Sequence, residues 1–270
     1  MSGKIKLTNN AFFTLLLEGL EAYAIKHHGK RDIAIETHAQ LWGSSNKRLP
    51  FSCEVEHVSV DSSANKKRGS VTPHPLSLEL KKDVAHVFGS GYAHLGSFHT
   101  HPYTLDEGIE SPNEIRRNAF YDFSDGDHYC ECDNPTIEVG TRKFSIALVM
   151  TIFAGKKADD RKDGAIDDSL YEFSLGNVKV WLKAQIYEHK LRSTLSENDY
   201  AAANIYRLFE MKKFSESDYE RLPIPIDTQL ETPFLNDLGF YLEKFGRVIN
   251  NQGAADYKTA KDAEKRWLFI

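Results

Sequence analysis

The chain has 270 residues, 41% of them hydrophobic and 27% charged, which suits a soluble globular protein with a sizeable core. At ~100–200 residues per domain, it forms one large domain or two small ones. A formal net charge of −5 lacks the basic footprint of a general nucleic-acid binder, and no stretch reads as a signal peptide or a membrane span.

Residues 9 to 27 read as an amphipathic helix that Asn9 or Asn10 can cap, with Gly29 just past its end. Ile33 to Gly43 is extended, with mostly small or apolar residues. Phe51 to Val60 alternates like a half-buried strand. Asp61 to Gly69 is a polar loop. Pro75 to Gly89 reads as a helix, with Leu76, Leu80, Val84 and Val87/Phe88 at helical spacing. His94 to His101 is the next strand, and a short helix runs from Ser111 to about Tyr121. A segment rich in Asp, Cys and Gly, residues 122–141, then reads as an insertion.

Phe144 to Phe153 is continuously apolar, as expected of a strand buried on both faces. A charged loop at 156–168 is a second insertion. Tyr171 to Leu175 and Val178 to Tyr187 suit an antiparallel hairpin turning at Gly176-Asn177. This order predicts an α/β sandwich over residues 1–190. Beyond it, Glu197 to Met211 and Phe234 to Ile249 are helical in pattern, joined by a link through Pro223 and Pro225. Residues 191–270 are therefore expected to be a helical C-terminal extension, ending in one more short helix.

Three cysteines make no disulfide framework, which points to a reducing cytoplasm. A zinc site at His128, Cys130 and Cys132 lacks a second Cys or His pair to complete it, and ordinary loop cysteines are the simpler reading. The stronger constellation is Gly96-Ser-Phe-His99-Thr100-His101-Pro102, followed by Ser111-Pro-Asn-Glu114. Histidines one residue apart on a strand point the same way. Two imidazoles and a carboxylate can hold zinc tetrahedrally with one position left for water.

Those residues resemble the JAMM (Jab/MPN) metalloprotease family, whose pattern is an early-strand glutamate, His-Ser/Thr-His-Pro, then Ser-x-x-Asp. His99-Thr100-His101-Pro102 matches the centre. Glu36-Thr-His-Ala39-Gln-Leu41-Trp-Gly43 is similar to the upstream Glu-x-x-Gly-x-Leu-x-Gly, with Ala39 replacing a glycine. The resemblance spans residues 5 to 190. It implies an MPN/JAB, cytidine-deaminase-like α/β sandwich around a mixed sheet, with Zn²⁺ as cofactor.

By the same resemblance, His99, His101 and Glu114 are the metal ligands, Glu36 the general base and Ser111 the oxyanion donor. Glu114 stands where the family has aspartate, and Asp106 is a rival third ligand. Ser111-Pro-Asn-Glu114 is also a capping box with proline at the first helical position, and taken alone that reading is preferred. Glu36 alone reads as an edge-strand surface residue. His38, two residues further on, shares its strand face, with a role at the site unsupported.

The implied function is a cytoplasmic zinc isopeptidase or peptidase cutting the amide after the C-terminal tail of a ubiquitin-like protein. A bacterial branch in antiphage defence is one setting, and the helical tail offers a site for a protein partner. The alternative is a non-catalytic MPN-type scaffold. A zinc hydrolase of nucleic acid fits poorly, since the charge is negative and no Pro-Cys-x-x-Cys element is present.

Overall fold

Arg142–Ala154 is buried at every position from Phe144 onward, as its unbroken apolar run requires. The strand achieves this by having neighbours along both edges and cover on both faces. The computed structural model describes residues 2–25, 34–88, 91–202, 219–233, 247–251 and 254–258.

In chain order the elements are β1 (Ser2–Leu7), α1 (Asn9–Ala24), β2 (His38–Ser45), β3 (Ser52–Val60), β4 (Asn65–Lys66), β5 (Val71–Thr72) and α2 (Pro75–Phe88). Next come β6 (Ala93–Tyr103), α3 (Pro112–Arg117), α4 (Asp125–Cys130), β7 (Ile137–Val139), β8 (Arg142–Ala154), β9 (Gly164–Asp167) and β10 (Leu170–Leu175). The rest are β11 (Val178–Leu191), α5 (Glu197–Ala202), β12 (Arg221–Glu231), β13 (Arg247–Asn251) and β14 (Ala254–Lys258).

The main sheet runs β7-β8-β6-β2-β3-β1-β12-β11-β10-β9, and β11 also pairs with β8. That last pairing closes seven strands, β8-β6-β2-β3-β1-β12-β11, into a mixed barrel. The expected α/β sandwich is thereby corrected: among the described residues strand far outweighs helix, and the sheet closes on itself. Two strands that the local pattern does not reveal, β1 and β12, complete the barrel. β1 alternates over only a few residues, yet Ile5 and Leu7 are fully buried. β12 is the segment taken for a proline link, and it lies between β1 and β11.

Proline cannot donate to a ladder. Pro223 and Pro225 are two apart, so their nitrogens face one edge of the strand. Their pairing with β11 covers Arg221 to Ile226, whereas pairing with β1 begins only at Asp227. The missing donors thus fall where β1 is not yet paired. The expected helical C-terminal region is corrected as well. Of the first helix, Glu197–Ala202 forms and residues 203–211 lie outside the described residues. Of the second, residues 234–246 lie outside them, while Arg247–Asn251 pairs with β14 as a strand. The final short helix and Gly29 also fall outside them.

Helices α1 and α2 form where the pattern places them, whereas α3 ends at Arg117, short of Tyr121. Thr8, rather than Asn9 or Asn10, caps α1 by accepting the Ala11 N–H at 3.3 Å. Helix α2 forms, but its apolar stripe is left open to solvent, with Leu80 65% and Phe88 81% exposed. Polar contacts tie it down instead. Ser77 Oγ donates to Asp61 at 3.0 Å, and Lys81 donates to the Ser59 and Val60 carbonyls and to Asp61. Among the described residues no helix is long and apolar enough to cross a membrane.

Strand alternation divides β8 between two environments. Ile146, Leu148, Met150 and Ile152 join the core shared with Phe12 and Leu15 of α1. Ala147 and Val149 pack with Phe123 and Tyr187. The parallel register pairs His99 with Val149 and His101 with Thr151, which places both imidazoles on this second face.

Candidate metal centre

His99 and His101 stand side by side because β6 stays extended through them. Thr100, between them, turns to the opposite face and is buried. Its Oγ accepts the Thr37 N–H at 2.9 Å, and its own N–H donates to the Thr37 carbonyl at 3.1 Å. These bonds continue the β2–β6 ladder beyond its last strand residue and carry Glu36 toward the histidines.

The third member of the cluster is Asp127. His99 Nε2 lies 3.1 Å from His101 Nε2 and 3.1 Å from Asp127 Oδ1, and His101 Nε2 lies 3.4 Å from Asp127 Oδ2. Zinc bonds of ~2.0–2.1 Å at tetrahedral angles require ligand-to-ligand edges of ~3.3 Å. The donor types and spacing therefore fit zinc, and among the described residues these three are the one group able to hold a metal ion.

Local sequence explains the placement of Asp127. Ser124 caps α4, its Oγ accepting the Asp127 N–H at 3.2 Å. Asp127 Oδ2 in return accepts the Ser124 N–H at 2.7 Å and its hydroxyl at 2.8 Å. This reciprocal cap fixes the carboxylate while leaving it turned toward the imidazoles. Burial opposes ionisation of Asp127, but His99 and His101 outweigh it and hold the carboxyl far below its usual range.

A cavity of about 480 Å³ opens over the cluster, bordered by Glu36, His38, His94, Ser124 and Cys130. Glu36 is placed by its N–H, which donates to the Lys67 carbonyl at 2.8 Å in the small β4–β5 hairpin. Burial pushes its carboxyl up to about 7. His101 opposes that rise, while Asp127 and Glu107 add to it. His38 Nδ1 lies 2.6 Å from Asp61 Oδ2, and burial lowers this imidazole despite the aspartate. Deeper in the wall, Glu131 accepts the Ser145 hydroxyl at 2.6 Å, and its buried carboxyl is raised to about 7.

Three expected positions are not brought to the cluster. Glu114, expected as the third ligand, accepts the Glu110 N–H at 2.6 Å instead. Ser111 is the N-cap residue of α3 and does not border the cavity. Asp106, the rival, is taken by Arg68 and Thr104. Ser111 begins the helix with Pro112 at its first position, but the expected capping box does not form, because the Ser111 side chain makes no cap bond and Glu114 reaches the Glu110 N–H. The His128, Cys130 and Cys132 set is likewise not assembled, since His128 Nδ1 bonds the Tyr187 hydroxyl at 2.8 Å.

Asp127 and Ser124 were missed in the sequence, yet a signal existed. Ser124-Asp125-Gly126-Asp127 is a complete Ser-x-x-Asp, with aspartate in the last place. It lies inside the segment read as an insertion, and the nearer Ser111-x-x-Glu114 displaced it. No known family's model matches the chain, and no curated protein matches it.

Proposed function

We propose that this protein is a zinc-dependent amide hydrolase of the JAMM type. Its substrate in this reading is the amide after the C-terminal tail of a ubiquitin-like protein. One observation carries the reading: His99, His101 and Asp127 converge at zinc-ligand spacing in a cavity that Glu36 also borders. With Ser124–Asp127 as the Ser-x-x-Asp element, this set matches the family pattern more fully than Ser111–Glu114 does.

Each side chain has a task. His99, His101 and Asp127 would hold the ion, and Ser124 keeps the Asp127 carboxylate in position. The ion, when bound, supplies a Lewis acid and water acidified to a pKa of ~7. Glu36 accepts the proton of the attacking water and passes it to the departing nitrogen. A carboxyl that burial has already shifted upward suits both halves of that transfer. β6 fixes both imidazoles on a barrel strand, the capped start of α4 fixes Asp127, and in this reading the cavity receives the extended tail.

The test is metal content followed by cleavage. Purified protein is expected to carry about one zinc per chain, lost in His99→Ala and in Asp127→Ala. Glu36→Gln is expected to keep zinc and lose cleavage of a ubiquitin-like fusion. A chain without zinc would favour the second reading, a non-catalytic scaffold. The exposed apolar face of α2 is the specific feature in favour of that alternative.

A further inference from the structure

We propose that His38 is a substrate-binding residue, its Nε2 accepting a hydrogen bond from an N–H of the bound amide; this rests on the hydrolase reading above. The antiparallel register sets His38 directly opposite His99. Directly opposed residues share a sheet face, with Cβ atoms ~4.5–5.5 Å apart. His38 therefore projects to the side of the metal cluster, and it borders the same cavity.

Its orientation is fixed from behind. Asp61 is fully buried and receives the Gln40 Nε2 at 2.9 Å, the Ser77 hydroxyl at 3.0 Å and the Lys81 ammonium, besides His38. A carboxylate ringed by donors acts only as an acceptor. The proton in the 2.6 Å contact with His38 must then sit on Nδ1. In the neutral ring Nε2 is left with a lone pair. That nitrogen has no hydrogen-bond partner among the described residues and is not sealed from solvent. A fixed acceptor beside a metal cluster is matched by a donor. An amide held by its oxygen at the metal presents its N–H a short distance away, and a tertiary amide has none to offer.

Two measurements test this. Nitrogen-15 spectra of the metal-free protein are expected to show His38 protonated at Nδ1 and bare at Nε2. The reverse tautomer overturns the proposal. Binding of acetohydroxamate and of N-methylacetohydroxamate to the zinc-loaded protein, by calorimetry, probes the acceptor directly. Wild type is expected to favour the N–H compound by roughly fivefold to tenfold, about the worth of one hydrogen bond. His38→Phe, which keeps the ring and removes the acceptor, is expected to bring that ratio below about twofold with zinc content unchanged. An unchanged ratio in the variant overturns the role of His38 alone. Failure of wild type to bind zinc overturns the hydrolase reading, and the role of His38 with it.

Discussion

Asp127 Oδ1 lies 3.1 Å from His99 Nε2, joining the start of α4 to the middle of β6. The contact links a short helix to a barrel strand across the segment that holds α3. If this carboxylate completes the ligand set, its removal leaves two imidazoles to hold the ion. Asp127→Ala is expected to weaken zinc retention by more than ~100-fold, beyond the 10–100-fold typical of groups behind the ligands. Glu114→Ala is expected to leave it unchanged, because that side chain is engaged with the Glu110 N–H. Competition with a chromophoric chelator measures both.

Glu36 makes the pH dependence of the proposed reaction predictable. To accept a proton it must be ionised, and burial holds its carboxyl up to about 7 in the metal-free chain. Activity is therefore expected to rise with pH along a limb governed by this group. A zinc ion near the carboxylate favours its charged form, so the limb falls below the metal-free value. Glu36→Gln is expected to lower kcat by ~10²–10⁴-fold and to abolish the limb. A pH–rate profile of both forms checks the sign and the size.

Much of the barrel was visible in local pattern, because alternation and unbroken apolar runs report directly on which strand faces are buried. β3, β8 and β11 fall where those patterns place them, as does β10 beside β11 outside the barrel. Closure was invisible for a physical reason. It depends on β1, whose apolar alternation is confined to Ile5 and Leu7, and on β12, whose prolines mimic a link until the pairing of each edge is known. The site shows the same division. His99 and His101 are readable because their geometry is local to one strand. The third carboxylate depends on how far the chain travels before returning, and that distance is set by the packing of α3 and α4. Helix α2 was legible as a helix, but its stripe gave no sign that the barrel would leave it uncovered.

Buried Glu131 is expected to make the metal-free protein lose stability as pH rises. Burial lifts its carboxyl from 4.5 to about 7 although the Ser145 hydroxyl favours the ionised form. Between those values the folded chain keeps a proton that the unfolded chain has released. Stability is then full below about 4.5, declines between the two values and levels off once pH has passed about 7. A shift of that size corresponds to roughly 3 kcal/mol. Glu131→Gln retains an acceptor for Ser145 and cannot ionise, so urea unfolding at pH 5 and pH 7.5 should differ less in the variant than in wild type. An equal difference in both would assign the pH dependence to Glu36 or to another group.

Gly43 closes the stretch that begins at Glu36, and its position explains why a side chain is excluded there. β2 slips register against β3 between Trp42 and Gly43. A Cβ added at Gly43 would lie 2.0 Å from the Glu54 carbonyl oxygen, and backbone cannot yield as a flexible side chain would. Gly43→Ala must therefore force β2 and β3 apart at the irregularity, disturbing the strand that carries His38. The expected cost is more than ~2 kcal/mol, in the range of substitutions that strain a packed backbone. Thermal unfolding measures it. Zinc affinity is expected to change far less, since His99, His101 and Asp127 lie on β6 and α4; a variant as stable as wild type would show that β2 can re-register without strain.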